Sequence, residues 1–297
     1  MMLRFVVITL VVLLGSACSH TDLAYRNSDL LLAYHSWKTV RTSDAQRENW
    51  QPLLQATLRY HRESELPLVI AYLVLAGRVV KQRDGSVGAA CLVDGALLIY
   101  QRHARLAAEL AAPLLTELDA DQLRHLAKYT TQRQQDAVKR YLDPDPLRRN
   151  AARQKRITER IEKWTGKLND SQRQQVKDVL QKTPDLSAAW LAYRSEHTDT
   201  LLAMIANDAD TETLREYLDG WWVRRDGTSA ETSQSWHIAR SEFIQLMDNI
   251  ATSLTDKQRA RFEKRLGELR DDLAPFLSSP QQPVDLQVVP ACASASV

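Results

Sequence analysis

The chain has 297 residues, of which nine are glycine and 44% are apolar, and its formal charge is +2. That length suffices for one large or two small domains with a real core, while glycine at about 3%, under half of average usage, disfavours a turn-rich β architecture. A charge so near neutrality marks neither a nucleic-acid partner nor a strongly anionic one.

The first element is a leader. Arg4 precedes an apolar run from Phe5 to Leu14, and Gly15-Ser16-Ala17-Cys18-Ser19 follows. The run is shorter than the roughly 20 residues a membrane-spanning helix needs and has the length of a secretory h-region. Small residues ending in a cysteine predict a lipoprotein signal. The Cys18 thiol would take a diacylglyceryl group, cleavage would fall between Ala17 and Cys18, and the freed amine would be acylated. Two or three acyl chains, at about 0.8 kcal/mol per buried methylene, make a stable anchor. Gly15 stands where such signals most often have leucine. The competing reading is an ordinary cleaved signal followed by an unrelated cysteine. Ser19 occupies the sorting position, where aspartate retains lipoproteins of enteric-type bacteria in the inner membrane. Serine therefore points to the outer membrane, facing the periplasm.

Beyond the leader the apolar spacing is helical. Ile157, Ile161, Trp164 and Leu168 recur at steps of three and four; so do Ala239, Phe243, Leu246 and Ile250, and Phe262, Leu266, Leu269, Leu273 and Phe276. No stretch alternates with period two for long enough to propose a sheet. Breaks are expected at Thr42-Ser43, Leu66-Pro67, Arg83-Asp84-Gly85, Leu118-Asp119, Asp143-Pro144-Asp145-Pro146, Thr183-Pro184, Arg225-Asp226-Gly227 and Ser253 to Thr255. The expected fold is all-α: roughly ten helices in antiparallel hairpins, in an arrangement that suits two similar halves. The two prolines at 144 and 146 forbid a continuous helix. The chain thus divides into a signal over 1–17, an N-terminal half over 18–143, a C-terminal half over 144–277, and a mobile tail over 278–297 rich in Pro, Ser, Ala and Gln.

One local motif recurs. Ser43 precedes Gln46, Asp119 precedes Gln122, Asn169 precedes Gln172 and Thr255 precedes Gln258, each by three residues. Each pair predicts a capping box, in which the cap side chain accepts from the N3 amide while glutamine reaches back to the cap amide. The reading is a helix start; the spacing assigns these glutamines no ligand.

Residues that could carry chemistry are few. The seven histidines include no His-x-x-x-His pair and no zinc-protease motif, so neither metal nor cofactor is expected. His61-Arg62-Glu63 with Glu65 is the one histidine and carboxylate cluster, read as a solvated helix end. No nucleophile elbow or phosphate loop occurs. The run from Arg148 to Arg156, extended by Arg160, reads as a solvated helix face balanced by Glu159 and Glu162, with anionic headgroups as the competing reading. Cys91 and Cys292 are expected unlinked, although an oxidising compartment permits a bridge. Trp221 and Trp222 are neighbours about 100° apart on a helix, so both should not face one core. With Trp236 they form a candidate binding patch; the alternative buries both between different helices.

Two resemblances carry further. Leu23-Ala24-Tyr25-Arg26-Asn27-Ser28-Asp29, the Tyr60-His61-Arg62-Glu63 to Leu66-Pro67 stretch, and Arg160-Ile161-Glu162-Lys163-Trp164-Thr165-Gly166-Lys167-Leu168 resemble an uncharacterised family of proteobacterial lipoproteins. The resemblance covers nearly the whole mature chain and implies an all-helical lipoprotein without implying an activity. Leu254-Thr255-x-x-Gln258 is similar to the signature of the Spy/CpxP periplasmic chaperones, which hold unfolded envelope proteins in a helical cradle. Only that short element matches fully, and the chain is about twice as long. The expected function is thus non-catalytic binding or chaperoning by a protein held to the membrane through its N-terminal lipid. One alternative is an assembly accessory for a single envelope protein. The other is an enzyme acting on cell wall or lipid, which would need a histidine meeting two carboxylates in a cleft.

Overall fold

A computed structural model describes residues 19–81 and 88–278. Cys18, the side chain of Ser19, the break at Arg83-Asp84-Gly85 and the tail with Cys292 lie outside the described residues. The elements are α1 (Ser19–Arg26), α2 (Ser28–Val40), α3 (Asp44–Tyr60), a π turn (His61–Glu65), α4 (Leu66–Lys81), α5 (Ala89–Thr116), α6 (Ala120–Tyr141), α7 (Pro146–Thr165), α8 (Asp170–Lys182), α9 (Ser187–Ala206), α10 (Thr211–Asp219), a second π turn (Gly220–Arg224), α11 (Ala230–Ser253), α12 (Asp256–Leu273) and a short 3₁₀ turn (Ala274–Phe276). The fold is all-α, with no strand among the described residues.

The expected break at Leu66-Pro67 does not occur. Helical backbone continues from Asp44 to Lys81 because the chain widens to a π turn, in which the Leu66 amide donates to the His61 carbonyl five residues back. Proline at 67 has no amide to give the Glu63 carbonyl, and the wider turn accommodates that missing bond without ending the helix. Breaks that the spacing left out fall at Asn27, between α1 and α2, and at 207–210, between α9 and α10.

α5 is the spine. It packs on α3, α4, α10 and α11 and, at 28 residues, would be about 42 Å long at 1.5 Å per residue. Three apolar clusters surround it. The largest joins Trp50 and Leu54 of α3, the stretch from Ala104 to Leu115 of α5, Leu126 of α6, Leu201 and Ile205 of α9, Leu214 and Leu218 of α10, and Trp221 to Val223. A second joins Tyr25, α4, Ile99 and α12; a third joins Val80 to α8 and α11. Each cluster draws residues from both sides of Asp143–Pro146.

The four capping boxes assemble into two pairs. In each box the cap side chain accepts from the glutamine amide while the glutamine Oε1 accepts from the cap amide. Gln46 and Gln122 exchange amide hydrogen bonds at 3.0 and 2.6 Å; Gln172 and Gln258 do so at 3.1 and 2.9 Å. The second Nε2 hydrogen of each then reaches the carbonyl two residues before the partner's cap: Gln46 to Glu117, Gln122 to Arg41, Gln172 to Ser253 and Gln258 to Lys167. Each amide thus uses both donors and accepts two bonds, leaving none of its capacity unmet. One pair ties the N-termini of α3 and α6, the other those of α8 and α12. Gln172 is completely buried. Gln172→Glu should destabilise the protein by about 2–3 kcal/mol, because a carboxylate keeps the cap contact but withdraws two buried donations. Urea midpoints would test this. A loss no larger than that from Gln46→Glu, in the more exposed pair, would overturn it.

Candidate functional site

A cavity of about 180 Å³ lies within the largest cluster. Its walls come from six parts of the fold, with Leu126 and Thr130 the contribution of α6. α2 supplies Leu32 and Val40, α3 supplies Trp50, and α5 supplies Leu110, Ala111, Leu114 and Leu115. α9 supplies Leu201 and Leu202, and the second π turn supplies Trp221 and Trp222. No Asp, Glu, Lys or Arg lines it. Trp50 is fixed by an indole N–H bond of 2.8 Å to the Leu110 carbonyl.

Three polar residues on the wall are turned to their own helices. Thr130 Oγ1 donates to the Leu126 and Ala127 carbonyls, Thr198 Oγ1 to Arg194, and Ser36 Oγ to Ala33. Their hydroxyl hydrogens therefore face backbone carbonyls. His35, also on the wall, is held below the usual histidine range, by burial first and by Lys38 second. The chamber accordingly offers hydrocarbon surface and no fixed charge. Close-packed interiors hold few voids larger than a water molecule, and at about 24 cal/mol per Å³ an unfilled void of this size forfeits roughly 4 kcal/mol.

The double tryptophan corrects the angular argument. Trp221 and Trp222 are both buried, belong to one cluster and line one cavity, with ring centroids 5.9 Å apart. The reason is the π turn over Gly220–Arg224. It is closed by Arg225 N–H donating to the Gly220 carbonyl, with Arg225 at φ 61°. Its wider winding narrows the angle between neighbouring side chains. The backbone is pinned by Tyr100 Oη on the Trp222 carbonyl and Tyr193 Oη on those of Trp221 and Asp226, and the His197 ring stacks on Trp221 at 5.4 Å. Trp236 sits apart, half-buried against Trp190 and beneath Arg225, and does not line the cavity.

The His61 cluster is not a solvated helix end. Glu65 is buried and takes two 2.7 Å bonds from Arg102 of α5. His61 lies between Tyr25 Oη, 2.8 Å from Nδ1, and His103 Nε2, 2.9 Å from its own Nε2; His103 Nδ1 is 2.7 Å from the Ile99 carbonyl. A carbonyl only accepts, so His103 Nδ1 carries a hydrogen toward Ile99; with both imidazoles neutral, His61 Nε2–H then donates to His103 and Tyr25 O–H to His61. Burial, with each histidine's cationic neighbours, pushes His61 down to about 3 and lowers His103. Burial pushes the Tyr25 hydroxyl up to about 12. His61 meets Tyr25 and His103, not two carboxylates. Among the described residues no three His, Cys, Asp or Glu side chains are grouped to hold a metal.

One further expectation changes. Cys91, wholly buried on α5, is disulfide-bonded; its partner lies outside the described residues. A helical context does not bar a bridge, which needs only Cα atoms roughly 4.4–6.8 Å apart. The basic run on α7 is engaged with the chain itself: Arg148 pairs with Asp143 and Asp145, Arg149 with Asp185, and Arg153 bonds the Thr183 and Pro184 carbonyls.

Fold and site together define an all-helical protein built on paired capping glutamines around an apolar chamber. The chain belongs to the family of unknown function DUF6279, whose model matches residues 38–220, and that span takes in His61, His103 and most of the cavity wall. Neither a curated protein nor a solved structure matches it.

Proposed function

We propose that this protein is a lipid-anchored helical protein of the bacterial envelope, facing the periplasm from the outer membrane, that acts by binding an apolar group and not by catalysis. The cavity carries the reading. At 180 Å³ it exceeds the ~150 Å³ apolar cavity that stays dry and accepts benzene. It therefore suits a hydrocarbon group of about seven carbons on that scale, such as an alkyl segment or a large apolar side chain of a client. The absence of charge on the wall favours an occupant with no ionised atom inside. Two observations support the location. The Arg4 to Cys18 leader has the pattern of a lipoprotein signal, and the disulfide at Cys91 is the chemistry of an oxidising compartment. No described helix is long and apolar enough to cross a membrane.

Titration with 1-heptanol, followed through tryptophan emission, tests the reading, since Trp50, Trp221 and Trp222 line the chamber. Saturable binding is expected, weakened at least tenfold by Ala111→Phe, which fills the space from the α5 wall. Circular dichroism verifies that the variant is folded. A linear, unsaturable response, or equal binding by wild type and folded variant, would sink the proposal.

A further inference from the structure

The helix that walls the cavity also carries an apolar stripe on its other side. Leu30, Tyr34 and Trp37 of α2 are spaced i, i+4, i+7, which brings them within about 60° of one another around the axis. Leu30 and Tyr34 are 64% and 52% exposed, and Trp37, Leu31 and Leu23 of α1 are exposed beside them. The Tyr34 and Trp37 rings lie 6.1 Å apart. Leu32, Ser36 and Thr39 point the opposite way, to the cavity. α2 is thus apolar on two faces, only one of which the fold covers. Among the described residues, half of the ten exposed large apolar side chains fall in this one stretch, so the stripe is not the ordinary scatter of surface hydrophobics.

Three observations identify the occupant. First, position: Leu23 is five residues beyond Cys18 and Leu30 twelve, about 18 Å at a helical rise, so an acyl anchor at Cys18 holds this stripe beside the bilayer. Second, composition: leucines with one tyrosine and one tryptophan are what interfacial helices present to headgroups and upper acyl chains. Third, charge: exposed Lys38 borders the stripe, and the Arg41 guanidinium is held 4.6 Å over the Trp37 ring, where each cation near an anionic headgroup is worth about 1 kcal/mol.

We propose that α1 and α2 lie on the lipid bilayer, with Leu23, Leu30, Leu31, Tyr34 and Trp37 in its interfacial layer, so that the anchor and this stripe together fix the protein's orientation and turn the cavity face of α2 away from the lipid. The proposal rests on the lipid-anchor reading above.

The test uses the full chain produced in bacteria with labelled palmitate, purified and placed in phosphatidylethanolamine–phosphatidylglycerol vesicles that carry a phospholipid with an acyl-chain diazirine. After photolysis, trypsin releases residues 27–38 as one peptide. Palmitate incorporation with lipid adducts concentrated on 27–38, reduced at least fivefold by Leu30→Ser/Trp37→Ser with unchanged circular dichroism, supports the proposal. Palmitate incorporation with adducts elsewhere and none on 27–38 overturns it and leaves the anchor standing. Adducts on 27–38 without palmitate support the surface contact and overturn the anchor. In whole membranes, crosslinking of 27–38 to another protein in place of lipid also overturns it.

Discussion

Replacing Arg102 with methionine should destabilise the protein by about 3–5 kcal/mol at neutral pH, the cost of leaving one member of a buried ion pair alone. The pair is asymmetric: the Glu65 side chain is 2% exposed and that of Arg102 37%. Without its guanidinium, the Glu65 carboxylate has no route to water and must either stay ionised in a poorly solvating site or take up a proton. Without its carboxylate, Arg102 can swing into solvent. Glu65→Gln should therefore cost less than Arg102→Met, although a count of broken bonds predicts equality. Arg102→Met/Glu65→Gln should recover most of the loss. Urea denaturation of the three variants at pH 7 checks this. If Glu65→Gln proves the costlier substitution, the buried carboxylate is not what makes the pair matter.

Acid should destabilise the wild type well before its carboxylates titrate. His61 has a folded-state value of about 3 against an ordinary value near 6.5, and His103 is lowered as well. Both folded values lie below the unfolded ones, so the unfolded chain binds protons that the native chain refuses. Stability is complete above about pH 6.5 and declines as the pH falls toward the folded value, at up to about 1.4 kcal/mol per pH unit for each histidine. Between pH 6.5 and 4.5 the loss from His61 alone should reach about 2 kcal/mol. The groups facing the pair are Tyr25, Arg62, Glu65 and Arg102; the two arginines oppose a positive imidazole, and Glu65 is already engaged by Arg102. His61→Gln removes one titrating group and should flatten the midpoint-against-pH curve in this window. Parallel curves for the two proteins would show that the histidine pair does not govern acid stability.

Much of the architecture was legible because its causes are local. Helical periodicity, scarce glycine, and Ser, Thr, Asn or Asp three residues before glutamine are all read within one turn of chain, and α3, α6, α8 and α12 start at those boxes. The proline at 67 misled because a proline forbids one backbone hydrogen bond without dictating whether the chain stops or widens around the gap. The same limit applies to Trp221-Trp222, since an angle of 100° per residue presumes an α-helix, and the π turn that gathers both rings depends on tertiary contacts from Tyr100 and Tyr193.

By itself, then, the sequence determined the helical class and the four helix starts, all consequences of residues within a few positions of one another. Only the tertiary structure decided that the capping glutamines bond across 76 and 86 residues, that His61 meets His103 and Tyr25, and that six segments enclose an apolar chamber. Those outcomes depend on which helix faces are brought together, and local spacing constrains each face without choosing its partner.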